Sequence, residues 1–146
     1  MKSLVVQISK LRPGAIIPIY QKEGDAGFDL HACIDTLVPA AQAAVIPTGL
    51  AFAIPDGFEM QIRLRSGAAL QTPLIIANAP GTIDSGYRGE VGIIVRNLST
   101  QDWLVKAGER IAQGLISPVY QALFVEQENL PPSERGDKGF GSTGFC

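Results

Sequence analysis

Polar and apolar residues alternate most cleanly over Phe58-Glu59-Met60-Gln61-Ile62-Arg63-Leu64-Arg65. Phe58, Met60, Ile62 and Leu64 fall on one face of an extended segment, and Glu59, Gln61, Arg63 and Arg65 on the other. The same reading predicts strands at Leu4–Lys10, Phe28–Ala32, Leu50–Ala53, Glu90–Arg96, Trp103–Val105, Ile111–Ser117 and Ala122–Gln127. Arg12-Pro13-Gly14, Pro55-Asp56-Gly57, Ser85-Gly86 and Ala107-Gly108 supply turn chemistry between them. Glycine and proline interrupt every longer helical pattern. One short helix is predicted over Ser66–Gln71, with Ser66 as its cap. Many short strands separated by turns predict an all-β sandwich or barrel, and no internal repeat modifies that picture.

With 146 residues the chain fits one domain, and 46% hydrophobic residues supply a core, which excludes global disorder. Only 18% of residues are charged. A small protein has much surface to cover, so this scarcity points to surface buried against other copies. A net charge of −2 argues against broad binding to nucleic acid, so an anionic ligand must meet local groups of Arg and Lys. The two cysteines, Cys33 and Cys146, are too few for a disulfide framework and have no zinc-ligand spacing. The start lacks the long apolar region and cleavage site of a signal peptide, and Ala43–Ile46 and Ile93–Val95 are far short of a membrane span. The expectation is a soluble, cytoplasmic protein with no membrane or nucleic-acid partner.

Four segments carry candidate chemistry. Arg65-Ser66-Gly67 sets a guanidinium beside free N–H groups at the predicted helix start, which suits a phosphate; it reads equally as a surface arginine and a capping serine. Gly81-Thr82-Ile83-Asp84-Ser85-Gly86-Tyr87-Arg88-Gly89 followed by Val91–Val95 predicts a hairpin. Its backbone can address the edge of a planar base, and Asp84 is either a turn residue or an acid that orients water. Gly108-Glu109-Arg110-Ile111-Ala112-Gln113 turns into a strand whose register, and so the faces of Arg110 and Gln113, stays open. After Pro131-Pro132 the chain runs Ser-Glu-Arg-Gly-Asp-Lys-Gly-Phe-Gly-Ser-Thr-Gly to residue 144. This is a frayed tail or a flap that orders on a ligand, with Arg135, Lys138, Ser142 and Thr143 for phosphate and Phe140 for a ring. The sole histidine, His31, makes a poor general base, and acyl-transfer triads are unsupported.

In order and spacing, Asp25-Ala26-Gly27-Phe28-Asp29-Leu30, Arg65-Ser66-Gly67, Gly81 to Gly89, Gly108 to Gln113 and Arg135 to Gly144 resemble the five motifs of the trimeric dUTPases. The resemblance implies a jelly-roll β fold with one short helix, a β domain over residues 1–130, and an arm over residues 131–146 that closes on a neighbouring subunit. It implies a homotrimer that hydrolyses dUTP to dUMP and pyrophosphate with Mg²⁺ held mainly by phosphates and water. Each site would draw motifs one, two and four from one chain, the third from another and the tail from the last. Carried over by position, Asp84 activates the water that attacks the α-phosphorus, and Tyr87 packs on the deoxyribose. Asn78, Gly81, Thr82, Ile83 and Gly92 read uracil. Arg65, Ser66, Gly67 and Gln113 hold phosphate, Arg135, Gly141, Ser142 and Thr143 hold the far end of the triphosphate, Phe140 covers the base, and Asp29 supports the site.

Three positions depart from the family pattern: Phe28 where tyrosine is frequent, Gly86 where a second acid is frequent, and Lys138 where glycine is common. Two rival functions remain at this stage. A dCTP deaminase of the same superfamily needs a proton shuttle, usually a glutamate near the hairpin, for which Glu90 is the only nearby candidate. A jelly roll that binds nucleotide or protein without catalysis needs no acid at position 84.

Overall fold

The computed structural model describes residues 4–139. Eleven strands and one helix follow in order. These are β1 (Gln7–Lys10), β2 (Phe28–His31), β3 (Thr36–Val38), β4 (Ala43–Pro47), β5 (Leu50–Ala53), β6 (Phe58–Leu64), α1 (Ser66–Gln71), β7 (Leu74–Ile76), β8 (Gly81–Ile83), β9 (Gly92–Asn97), β10 (Trp103–Val105) and β11 (Arg110–Pro118). All pairings are antiparallel. They build a four-stranded sheet β2-β11-β6-β8, a three-stranded sheet β4-β9-β7, and two ribbons, β1-β5 and β10-β3.

The alternation in β6 works as predicted: Met60 and Ile62 are buried, while Arg63 faces outward. β9 does the same from the other sheet, with Ile93, Val95 and Asn97 inward and Ile94 and Arg96 outward. Leu30, Ile46, Met60, Ile93, Val95 and Val105 meet in one core fed by both sheets and a ribbon. Burying each large side chain of this kind stabilises the fold by about 1.5–3 kcal/mol. Asn97 is a polar residue within it, fully buried. Its Nδ2 donates to the carbonyls of Val38 (3.1 Å) and Gln101 (2.7 Å), and its Oδ1 accepts from the N–H and Oγ of Ser99 (2.9 and 2.8 Å). Asn97→Ala strands these partners and is expected to lower stability by about 2–3 kcal/mol, read by urea unfolding at fixed chain concentration.

Several expectations are corrected. Gly81 to Val95 is no hairpin: β8 pairs with β6, and β9 pairs with β4 and β7 in the other sheet. The turn is real, since the Tyr87 N–H donates to the Asp84 carbonyl at 3.1 Å, but it links two sheets. Ser66 does not cap α1; Arg65 occupies the cap position and no side chain bonds there. Ala122–Gln127 forms no strand. A strand needs a partner for its backbone groups, and among the described residues none pairs with this segment, whose Leu123 and Phe124 are 90% and 91% exposed. The predicted Leu4–Lys10 strand shortens to β1. The short strands β3, β4 and β7 went unforeseen.

Candidate active site

The expected site residues fall into two groups in one chain. The first surrounds a pocket of about 340 Å³. Asn78, Gly81, Thr82, Ile83, Asp84, Tyr87 and Gly92, all expected from the sequence, line it. β8 delivers its first half: Gly81 sits opposite Ile62, and a Cβ at Gly81 would stand 3.1 Å from the Ile62 Cβ and 3.6 Å from the Asn78 amide nitrogen. Glycine here keeps the floor open and leaves backbone polar groups within reach of a planar ligand. The Ser85-Gly86 turn then presents Asp84 and Tyr87, both exposed, at the pocket's edge. The Tyr87 hydroxyl donates to the Glu90 carbonyl at 3.0 Å, which fixes the ring.

Val45, Ile62 and Ile94 also line this pocket and were not foreseen as site residues; Glu90, considered from the sequence only as a deaminase's shuttle, lines it too. Val45 and Ile94 are cross-strand partners on the outer face of the three-stranded sheet, 57% and 39% exposed. An outward apolar pair between inward-facing neighbours was the available signal. The carboxylate of Glu90 is fully engaged. Arg12 donates Nε to Oε1 and Nη2 to Oε2, each at 2.9 Å, and the Gly49 N–H reaches Oε1 at 2.9 Å. These donors hold the Glu90 carboxyl below the usual carboxylate range.

The second group centres on Asp29 in β2, which is 6% exposed. Arg65 Nε meets Asp29 Oδ1 at 2.8 Å and Arg110 Nη1 meets Oδ2 at 3.4 Å. A register shift between Arg110 and Ala112 brings Arg110 to this carboxylate and resolves the open register. Gln113 lies across from both Asp29 and Arg63, on one face of the sheet, and donates to the Leu64 carbonyl at 3.3 Å. Ser66 and Gly67 open α1 beside Arg65. Buried Asp29 thus holds two guanidiniums at a strand end, where their remaining N–H groups can meet an anion. Arg110 is the member of this group not singled out as a site residue beforehand. His31 lies opposite it in register, and burial pushes the imidazole pKa down.

The two groups stand apart. Ile83 pairs with Met60, and Arg65 follows the end of β6, so about 17 Å of strand at about 3.3 Å per residue separates the Ile83–Met60 pair from Arg65, with Asp84 one residue farther still. Arg135 is exposed in a turn of its own, its Nε donating to the Lys138 carbonyl at 3.0 Å. Phe140, Gly141, Ser142 and Thr143 lie outside the described residues. Among the described residues, no three His, Cys, Asp or Glu side chains converge as metal ligands, and no helix is long and apolar enough to cross a membrane.

Comparison with known proteins identifies the scaffold. The dUTPase family model matches residues 14–144. A deoxyuridine 5'-triphosphate nucleotidohydrolase of Helicobacter hepaticus is 49% identical over 146 residues, covering 100% of this chain and 92% of that protein. Its counterpart in Wolinella succinogenes is 46% identical over 145 residues, covering 99% and 97%. Among solved structures, the dUTPase of Staphylococcus bacteriophage 80alpha with dUpNHpp superposes with a TM-score of 0.89 at 29% identity, over 97% of this chain and 99% of that one. The β strands, the single short helix and the full-length match together place this chain in the dUTPase family, with its jelly-roll-like fold.

Proposed function

We propose that this chain hydrolyses dUTP to dUMP and pyrophosphate, with Asp84 aiming a water at the α-phosphorus. The observation that carries the reading is the pocket in which Asp84 and Tyr87 border a floor made by Gly81 to Ile83 and Asn78. Uracil lies along the β8 backbone, whose N–H and C=O groups match its edge, and the tight floor excludes a thymine methyl. The Tyr87 ring packs on the deoxyribose and leaves no space for a 2′-hydroxyl. The Asp84 carboxylate accepts a proton from water as the new O–P bond forms; the bond from the α-phosphorus to the bridging oxygen breaks, and pyrophosphate leaves.

A triphosphate carries about four negative charges, which must be dispersed as the transition state forms. Arg65, with Ser66, Gly67 and Gln113, takes phosphate oxygens, and the arm of residues 131–146 closes with Arg135, Gly141, Ser142, Thr143 and Phe140. Mg²⁺ belongs to this account as an ion carried by the substrate. Asp29 is committed to two arginines and Glu90 to Arg12 and Gly49, which leaves no cage of carboxylates among the described residues. A magnesium ion that keeps its waters and binds phosphate oxygens needs none, and it supplies charge neutralisation there.

The site is composite in this reading, formed where copies of the chain meet as a homotrimer. More than about 17 Å of strand between Asp84 and Arg65 is too long for both to serve one phosphorus in one chain. Tyr120, Leu123 and Phe124 are each at least 90% exposed in the lone chain, as suits a segment that runs onto a neighbour before the arm begins. The engaged state of Glu90 disfavours deamination, because a shuttle must gain and lose its proton. A panel of deoxynucleoside triphosphates with Mg²⁺ tests the function. Pyrophosphate is expected from dUTP alone at an appreciable rate; ammonia from dCTP would replace the hydrolase reading with the deaminase one.

A further inference from the structure

Arg12 and Glu90 lie 78 residues apart in sequence yet form a two-point ion pair, both contacts at 2.9 Å. The pair sits on a rigid base. Gly49, which adds its N–H to the same carboxylate, has φ +70°, and a Cβ there would come 2.8 Å from that of Ala15 and 3.2 Å from that of Arg12. The Leu11 N–H donates to the Gly49 carbonyl at 2.7 Å and the Ala15 N–H to the Arg12 carbonyl at 3.1 Å, so the loop carrying Arg12 is tied down on both sides. On the far side of Glu90, the Val91 N–H donates to the Leu50 carbonyl at 2.8 Å, and the Val91 carbonyl accepts from Thr48 Oγ1 at 2.6 Å. Glu90's own carbonyl takes the Tyr87 hydroxyl at 3.0 Å. The Tyr87 ring lies against Gly89, where an added Cβ would run into the phenol.

We propose that Arg12 is a positioning residue for sugar selection: gripping Glu90, it fixes the backbone to which Tyr87 is bonded and so holds the ring at the distance that admits deoxyribose and excludes ribose. This rests on the reading of Tyr87 given above. Arg12 itself is half-exposed and does not line the pocket of Asp84 and Tyr87, so it reaches that pocket through Glu90. Exclusion of a hydroxyl is a matter of fractions of an ångström, and displacements of about 1 Å in a site alter rates by up to about a hundredfold.

The test compares kcat and KM for dUTP and UTP in the full-length wild type, Arg12→Met, Arg12→Lys, Tyr87→Phe and the Arg12→Met/Tyr87→Phe double variant. Arg12→Met is expected to lower the dUTP-over-UTP ratio of kcat/KM by about tenfold, through KM for dUTP and improved use of UTP, with kcat for dUTP within about twofold. Arg12→Lys should recover part of that ratio, and the double variant should discriminate no worse than the poorer single one, because both changes act along one chain of contacts. An unchanged ratio overturns the proposal, as does an equal loss with both nucleotides alongside a lower melting temperature. Should Arg12→Met not fold, Glu90→Gln carries the same expected fall in ratio. A wild-type enzyme indifferent to the sugar would instead refute the role of Tyr87 on which the proposal stands.

Discussion

Asp84→Asn is expected to lower the turnover of dUTP by about a thousandfold while leaving affinity for a non-hydrolysable imido analogue nearly unchanged. Asparagine has the shape of aspartate and can hold the water in place, but it offers no site for the departing proton. Position 84 also sits in an exposed turn whose closing bond, from the Tyr87 N–H to the Asp84 carbonyl, is made by the backbone and survives the change. The loss should therefore lie in kcat, with KM and melting temperature near their wild-type values. Pyrophosphate release and calorimetric titration separate these quantities. A variant that turns over at more than about a tenth of the wild-type rate would remove Asp84 from the chemistry.

Truncation after Pro132 is the second large effect, expected to cost about a hundredfold or more in kcat/KM without disturbing the oligomer. The segment from Ser133 to Gly139 adds nothing to the core; its bonds are local, such as Gly136 N–H to the Ser133 carbonyl at 3.2 Å. In the proposed mechanism its contribution arises when Arg135 and the residues beyond it close over bound triphosphate and exclude water, which strengthens each charge interaction inside. Size-exclusion chromatography with light scattering should report the same number of chains for both forms. Full activity in the truncated protein would end the flap reading.

What could be read from the sequence follows a physical division. β6 lies nearly where the pattern placed it, because a half-buried strand shows its inner and outer faces in a period of two, and the shorter β5 and β10 lie where apolar residues end at the turns Pro55-Asp56-Gly57 and Ala107-Gly108. β3, β4 and β7 hold three to five residues each, too few to display a period. The turn at Ser85-Gly86 was legible from its residues, but turn chemistry says nothing of which strand the flanks will join, so β8 and β9 were wrongly paired. Ala122–Gln127 has the composition of a strand, but composition does not show whether a segment finds a partner, and among the described residues it has none.

The site divides similarly. Local runs such as Gly81 to Tyr87 carry their own spacing, and seven expected residues line one pocket. Val45 and Ile94 became part of it only through the pairing of β4 with β9. The link between Arg12 and Glu90, and the shared grip of Arg65 and Arg110 on Asp29, join residues 78 and 36 to 81 positions apart. Such contacts are products of the fold and have no signature in the linear chain.

The most direct measurement mixes two inactive variants. Asp84→Asn and Arg65→Met homo-oligomers are combined, unfolded and refolded together, and assayed for pyrophosphate from dUTP. If each site takes Arg65 from one copy and Asp84 from another, random mixing at equal amounts restores about a quarter of wild-type activity, since that share of sites receives both intact residues. If one chain supplied both, every site would carry a defect. Mixed oligomers shown by mass to contain both chains yet still inactive would contradict the account.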